Sequence, residues 1–144
     1  MNPPKIKNYR IEKLLHRTNN YNIYTAIKIS ENKKVIIKEP HDNFPNSLSV
    51  AQLTNEFEMG KIFHHDNIIG YIDLIHKDTL VFLVKEFFES SSLEEYISKK
   101  DIDSEDFLKI ALQITEGISD IHRNNLIHKL IKPSNILINP ETKQ

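Results

Sequence analysis

Several side chains in the sequence are of types that could take part in chemistry. Lys38 ends an apolar run, and Glu56 lies within a helix-like pattern. Lys132 and Asn135 lie in a loop-like stretch near the C-terminus. An ammonium group can bind an anion, and a carboxylate can hold that ammonium by a charge-assisted hydrogen bond. Taken alone, Lys38 and Glu56 have a simpler interpretation, as a surface lysine on an edge strand and a solvated helix glutamate. Asn135 alone is equally typical of a turn.

Composition excludes several other kinds of chemistry. The 144 residues include no cysteine, which excludes disulfides, zinc–thiolate sites and cysteine nucleophiles. Lys and Arg number 19 and Asp and Glu number 20, so the net charge of -1 favours neither nucleic acid nor an anionic membrane as a partner. No serine-hydrolase elbow, zinc-protease motif or P-loop sequence is present. The pair His64-His65 is interpreted as a helix end rather than a metal site, because adjacent helix residues point in different directions.

The elements that must position these residues begin with strands. The first half of the sequence has the alternation of half-buried strands. Short polar turns, such as His16–Asn20, separate its first three runs, which predicts a three-stranded antiparallel meander. Two further β-rich runs follow a helical stretch. The predicted strands are 9–11, 23–29, 35–38, 68–75, 79–84 and, near the C-terminus, 136–138.

The first predicted helix lies between the third and fourth strands. Ser49 can cap it, and it runs to about Phe63 with Leu53, Phe57 and Ile62 on its buried side.

Two further helices are predicted in the second half. Ser92-Leu93-Glu94-Glu95 is a capping-box pattern that opens a short helix to Lys99. The longest helix covers 104–122 and has apolar residues at spacings of three and four: Phe107, Ala111, Ile114, Ile118 and Ile121. Because strands and helices are segregated along the chain, the pattern predicts an α+β fold.

Three places in the sequence resemble a eukaryotic-type Ser/Thr protein kinase in order and spacing. Val35-Ile36-Ile37-Lys38 resembles the strand motif V-A-I-K, and Glu56 followed by His65-Asp66-Asn67-Ile68-Ile69 resembles the helix-C glutamate and the H-P-N-I-V run. The stretch Ile127-His128-Lys129-Leu130-Ile131-Lys132-Pro133-Ser134-Asn135-Ile136-Leu137 is similar to the catalytic loop I-H-R-D-L-K-P-x-N-I-L. The resemblance covers about Tyr9 to Gln144. A finer likeness, in His128-Lys129 and Asn139-Pro140-Glu141-Thr142, is to the kinase-like head of large bacterial sensor histidine kinases.

This resemblance implies a protein-kinase-like α+β domain. The expected architecture is a five-stranded antiparallel N-lobe sheet with helix C, over 9–86, and the start of a helical C-lobe, over 87–144. Residues 1–8 are expected to form an N-terminal tail. The 144 residues reach the catalytic loop and include no Asp-Phe-Gly, so the domain is expected to be truncated before that segment. The long helix 104–122 is then expected to keep an uncovered apolar stripe.

The resemblance also implies a set of site residues. Lys38, held by Glu56, is expected to bind the α- and β-phosphates of ATP, and Lys132 to steady the γ-phosphate. Asn135 is the expected Mg²⁺ ligand. The remaining residues expected around the nucleotide are Ile23, Ile36, Glu86, Phe88 and Leu137. The implied cofactor is ATP with Mg²⁺, if nucleotide is bound at all, and weak binding is expected.

Departures from the family pattern indicate impaired catalysis. The three glycine positions of the nucleotide loop are His16, Thr18 and Tyr21, whose side chains should hold the loop away from phosphates. Ile36 replaces the usual small residue over the adenine. Leu130 occupies the position of the aspartate that accepts the substrate proton, and losing a general base costs roughly 10²–10⁴ in rate.

The sequence therefore supports three interpretations. The first is a segment of the Ser/Thr kinase family, whose parent activity is ATP-dependent phosphorylation of protein hydroxyls, and which is predicted to be inactive as this chain alone. The second is a pseudokinase interaction or scaffold module. The third is a relic fragment of a longer kinase. The expected partner is a protein substrate or binding protein, with a missing C-lobe or fused signalling domains as further partners. The apolar run Leu80–Phe88 is too short to span a bilayer, so a cytoplasmic protein is expected.

Overall fold

The computed structural model describes residues 3–40 and 47–144. The chain divides into two compact units, which are described separately. The first unit comprises Met1–Ile62 and Gly70–Phe87, and the second comprises Phe63–Ile69 and Phe88–Gln144.

The first unit contains a five-stranded antiparallel sheet. Its strands are β1 (Tyr9–Arg17), β2 (Tyr21–Lys28), β3 (Lys33–Pro40), β4 (Tyr71–Lys77) and β5 (Leu80–Glu86), in the order β1-β2-β3-β5-β4. The α+β fold class and the five-stranded sheet predicted from the sequence are confirmed. Short turns connect β1 to β2, β2 to β3 and β4 to β5. Asn32 and Asp78 take positive φ angles of 48° and 53° in two of these turns, a conformation that both residue types tolerate.

Strand β1 is longer than the sequence pattern predicts. It continues past Ile11 to Arg17, so only Thr18, Asn19 and Asn20 form the turn. The strand is at the edge of the sheet and its second half is exposed, which removes the apolar alternation that a strand prediction depends on. Two irregularities in its pairing with β2 also break the period of two.

The two faces of this sheet pack into separate apolar clusters. On one face, alternate residues of β5 pack with residues of β2 and β3 in one apolar cluster. The buried members of this cluster are Ile6, Tyr9, Ala26, Val35, Ile37, Phe82 and Val84. Ile6, from the predicted tail, is therefore part of the core. On the other face, Val81 and Leu83 pack against Leu53 of the helix α1 (Ser47–Gly60). Successive β5 side chains point to opposite faces, so one strand serves both clusters.

Helix α1 begins at Ser47 rather than Ser49 and ends at Gly60 rather than near Phe63. Leu53 is fully buried and Phe57 packs against its cluster, but Ile62 lies beyond the helix and is 47% exposed, so its predicted burial is wrong. The last residue of the helix lies against β4. A Cβ atom at Gly60 would lie 2.3 Å from the ring of Tyr71, so the ring occupies the space that a larger residue would need.

The second unit contains the helices predicted for the second half. Helix α2 (Leu93–Lys99) is capped by the Ser92 hydroxyl, which accepts a hydrogen bond from the Glu95 amide, as the capping-box pattern predicts. Helix α3 (Ser104–Arg123) is capped by Asp103. Strands β6 (Ser91–Ser92) and β7 (Leu137–Ile138) form a short antiparallel pair, and a single 3₁₀ turn covers Pro133–Asn135.

The buried side of α3 includes most of the predicted apolar residues, because Ala111, Ile114, Ile118 and Ile121 are all partly buried. Ile110 and Gly117 are the buried residues of the helix, and Ile110 packs with Leu93, Tyr96 and Ile138. Ile114 is partly buried against the same cluster, whereas Phe107 is 60% exposed. Spacing alone identifies a face, but the partners α2 and β7 decide which side of it is covered. Leu108 and Leu112 are exposed as well, so α3 keeps the expected uncovered apolar stripe.

Candidate functional site

Lys38 and Glu56 form an ion pair within the first unit. The Lys38 Nζ atom donates to Glu56 Oε2 at 2.6 Å. Lys38 lies on β3, the middle strand of five, with Ile23 and Leu83 opposite it on the two neighbouring strands. Glu56 lies on α1, which Leu53 fixes to the sheet. The side chains are 18% and 27% exposed, so neither is the solvated surface residue of the simpler interpretation.

A second lysine shares the same carboxylate. The Lys85 Nζ atom lies 3.3 Å from Glu56 Oε1, and the Tyr71 hydroxyl donates to that oxygen at 3.3 Å. Lys85 stands opposite both Ile36 on β3 and Tyr71 on β4. Sequence reasoning missed Lys85 and Tyr71 as site residues. The available signal was a charged residue inside the otherwise apolar strand β5, where an unpaired charge would be costly.

Tyr21 covers the Lys38 ammonium group. Its ring centroid lies 4.3 Å from Lys38 Nζ, within cation–π distance, and its hydroxyl donates to Gln52 Oε1 at 2.9 Å. Tyr21 stands at the third glycine position of the expected nucleotide loop. The side chain at this position therefore occupies one side of Lys38 and ties the start of β2 to α1.

The charges of this group shift its pKa values. Burial acts to raise the pKa of Glu56, but the ammonium groups of Lys85 and Lys38 together outweigh it and the pKa is lowered. Burial lowers the pKa of Lys85, reinforced by Lys38 and opposed by Glu56. Burial and the Glu56 charge raise the pKa of Tyr71, which keeps its hydroxyl protonated as a donor. Glu56 is therefore ionised at neutral pH.

The other residues predicted around a nucleotide are divided between the two units. Ile23 and Ile36 lie on the same sheet as Lys38, opposite Lys38 and Lys85 respectively. Glu86 is exposed, and its carboxylate accepts from Lys33 Nζ at 3.2 Å. Phe88 belongs to the second unit and is partly buried.

The predicted catalytic loop lies in the second unit and is closed by its own hydrogen bonds. The Asn135 Nδ2 atom donates to the Leu130 carbonyl at 3.0 Å, and the Leu130 amide donates to His128 Nδ1 at 3.4 Å. Lys129 takes a positive φ of 65° between them. The Leu130 side chain is 65% exposed, and Lys132 and Asn135 are exposed.

The donor set of this loop is poor in metal ligands. The stretch from Ile127 to Leu137 contains no carboxylate, and Asn135 uses its amide nitrogen to hold the loop. Leu137 lies on β7 opposite Ser92 and is 45% exposed. Across residues 3–40 and 47–144, no group of three or more His, Asp or Glu side chains is placed to hold a metal ion.

A family model described as protein kinase domain matches residues 9–144. The chain belongs to the protein kinase domain family. The resemblance seen around Lys38, Glu56 and the loop 127–137 is thus confirmed at the level of the family. Protein kinases transfer a phosphoryl group from ATP with the help of Mg²⁺. Within the described ranges of this kinase-family chain, no helix has both the length and the apolar character needed to span a membrane.

Three curated relatives are similar to this chain over 60% to 90% of its length. It is 30% identical over 132 residues to serine/threonine-protein kinase PrkC of Bacillus subtilis (strain 168), covering 90% of this chain and 20% of PrkC. It is 28% identical over 116 residues to serine/threonine-protein kinase shk1/pak1 of Schizosaccharomyces pombe, covering 81% and 17%. A protein of Dictyostelium discoideum named probable inactive serine/threonine-protein kinase is 33% identical over 87 residues, covering 60% and 7%. The chain therefore spans a fifth or less of the length of these relatives.

Proposed function

We propose that this chain is the nucleotide-binding front part of a Ser/Thr-kinase-like domain and is catalytically impaired as it stands. The observation that carries the proposal is the 2.6 Å Lys38–Glu56 ion pair on a chain that has Leu130 in its loop. A lysine on a central strand is suited to hold phosphate oxygens, because the strand fixes its backbone before the anion arrives. The parent activity is ATP-dependent phosphorylation of protein hydroxyls.

Leu130 supports the impairment. A hydrocarbon side chain neither accepts a proton nor orients a hydroxyl group, and the loop has no carboxylate to replace it. Losing a general base lowers the rate by roughly 10²–10⁴. One similar protein, from Dictyostelium discoideum, is named as a probable inactive kinase, which is consistent with a loss of catalysis among the relatives of this chain.

The residues of the loop do not fit a bound Mg²⁺ ion. Mg²⁺ takes near-octahedral oxygen coordination and is usually bound through carboxylates. Asn135 closes the loop onto Leu130 through its amide nitrogen, which leaves one amide oxygen for a cation, and no acidic side chain accompanies it in the loop. Asn135 therefore remains only the sequence-based candidate for a metal ligand, and no step of the proposal depends on the metal.

A protein-binding role is the second candidate, and the exposed side of α3 favours it. Phe107, Leu108 and Leu112 are 60%, 65% and 60% exposed on one helix. Contiguous exposed apolar side chains mark interaction surfaces or aggregation risks. In this alternative, a pseudokinase-like module in the cytoplasm binds a partner protein or a further kinase segment through α3, and the Lys38–Glu56 pair is structural.

Phosphotransfer and nucleotide binding are tested on the same set of proteins. The wild type, Lys38→Ala and Leu130→Asp are incubated with γ-labelled ATP, Mg²⁺ and a general kinase substrate protein, and ATP binding is followed by thermal shift. We expect no phosphotransfer by the wild type and an ATP-induced stabilisation that Lys38→Ala removes. Phosphorylation by the wild type that Lys38→Ala abolishes would overturn the impairment. ATP stabilisation that survives Lys38→Ala would overturn the role of Lys38.

A further inference from the structure

Three strands of the first sheet each send one donor to the carboxylate of Glu56. Lys38 on β3 binds Oε2 at 2.6 Å, whereas Lys85 on β5 and Tyr71 on β4 share Oε1, each at 3.3 Å. The two carboxylate oxygens are thus assigned to different partners. Lys38 can therefore bind another group while Glu56 keeps two hydrogen-bond donors, because Lys85 and Tyr71 donate to Oε1 and do not depend on Lys38.

The charges of this group do not cancel. Two ammonium groups face one carboxylate, and the side chains of Lys38, Glu56 and Lys85 are 18%, 27% and 24% exposed. In a pair with a single lysine, moving that lysine toward a ligand would leave a half-buried carboxylate without compensation, which is costly. Here Lys85 compensates Glu56, so the charge of Lys38 is available to a second anion.

The position of Tyr71 is built into the end of α1. A Cβ atom at residue 60 would lie 2.3 Å from the nearest ring atom of Tyr71. Only glycine at that position therefore allows the ring to come this close. The hydroxyl then reaches Glu56 one helical turn earlier on α1. Glu56 is consequently held by a packed aromatic side chain as well as by charge.

We propose that Lys85 is a positioning residue which, with Tyr71, neutralises and holds Glu56 and so frees Lys38 to bind a phosphate group of a nucleoside triphosphate without a divalent cation. The inference rests on the proposed nucleotide-binding function. It adds that the surplus charge of the cluster performs, at the phosphate, the neutralisation that a metal ion supplies elsewhere.

Binding of ATP is measured in EDTA and in excess Mg²⁺ by titration with a fluorescent ATP analogue, with unlabelled ATP and inorganic tripolyphosphate as competitors. The variants are Lys85→Met, which removes the charge at similar length, and Lys85→Arg, which keeps it. Lys7→Met removes an exposed lysine as the matched control. We expect binding in EDTA at least as tight as in Mg²⁺, weakened about tenfold by Lys85→Met and retained in the other two variants. Tripolyphosphate should compete, because the site binds phosphate.

The outcomes separate this inference from the proposed function. ATP binding that requires Lys38 but is unchanged in Lys85→Met overturns the role of Lys85 and leaves the proposed function standing. ATP binding that occurs only with Mg²⁺ overturns the metal-free site in the same way. Absence of ATP binding by the wild type under both conditions overturns both proposals. Failure of tripolyphosphate to compete shows that phosphate is not the group bound, and overturns the inference.

A second measurement does not depend on the folding of Lys85→Met. The pKa of Glu56 is followed through its ¹³Cδ chemical shift in the wild type and in Lys38→Met. If Lys85 and Tyr71 hold the carboxylate, its pKa stays below the ordinary value when Lys38 is removed. A Glu56 pKa above the ordinary value in Lys38→Met would show that Lys85 does not compensate it, and would overturn the inference. A role of Lys85 in packing alone would not produce the first result.

Discussion

Replacing Glu56 with glutamine tests the charge arrangement at the centre of the sheet. Glutamine keeps the shape of the side chain but leaves Lys38 and Lys85 without an anion, and both lysines are less than a quarter exposed, at 18% and 24%. Breaking a buried ion pair by removing one partner costs about 3–5 kcal/mol. Because these side chains keep some contact with solvent, we expect the lower end, about 3 kcal/mol. For a chain of this size, that lowers the melting temperature by roughly 10 °C.

The assay is urea unfolding at pH 7, followed by circular dichroism, with Glu58→Gln as the matched control. Glu58 lies on the same helix and pairs with Lys61, but the two side chains are 54% and 44% exposed, so its loss should cost about 0.5 kcal/mol or less. If Glu56→Gln is no more destabilising than Glu58→Gln, the Glu56 carboxylate does not stabilise the sheet by compensating the two lysines.

The difference in stability between the wild type and Glu56→Gln should depend on pH in a definite direction. The folded-state pKa of Glu56 is lower than its ordinary value, so its stabilising effect is complete above the unfolded-state pKa and is lost as the pH falls through the folded-state pKa. The difference in unfolding free energy between the wild type and Glu56→Gln should therefore be full at pH 7 and shrink on acidification below about pH 4.5. A difference that stays constant down to pH 3 would contradict the assignment of the charge to Glu56.

Three further changes test the packing that positions the site. Leu53→Ala, at a fully buried position between α1 and β5, should cost about 2–5 kcal/mol in urea unfolding, whereas Leu48→Ala, at a 62% exposed position on the same helix, should cost little. Gly60→Ala should destabilise by about 1–3 kcal/mol although alanine favours helices, because its Cβ atom would meet the Tyr71 ring; a more stable variant would show that the ring moves freely. Asp103→Ala should cost about 1 kcal/mol by removing the α3 cap, and an unchanged melting temperature would contradict that role.

The sequence predicted the elements whose signals are local. Period-two alternation and a short turn identified β2 and β3, because these two strands pair with each other and are adjacent in sequence. The cap of α2 at Ser92 was predictable since a capping box involves only adjacent residues. The order of motifs around Lys38, Glu56 and the loop identified the family, and the family model confirms it over residues 9–144.

Other features depended on partners distant in sequence. The second half of β1 is held by backbone hydrogen bonds to β2 and has exposed side chains, so hydropathy gave no signal for it. The buried side of α3 is set by α2 and β7, which cover Ile110 and leave Phe107 exposed. Ile62 matched the apolar pattern of α1 but lies beyond its end, because the helix ends at Gly60, against the Tyr71 ring.

By itself, the sequence determined the fold class, the family and the residue types available for chemistry, including the leucine at position 130 that argues against catalysis. Only the tertiary structure decided that Glu56 has two lysine partners rather than one. Lys38, Tyr71 and Lys85 come from three strands and Glu56 from a helix, so no spacing along the chain records their meeting. The physical reason is that a buried charge is costly unless an opposite charge lies close to it. Which group lies close depends on the fold and not on the spacing along the chain.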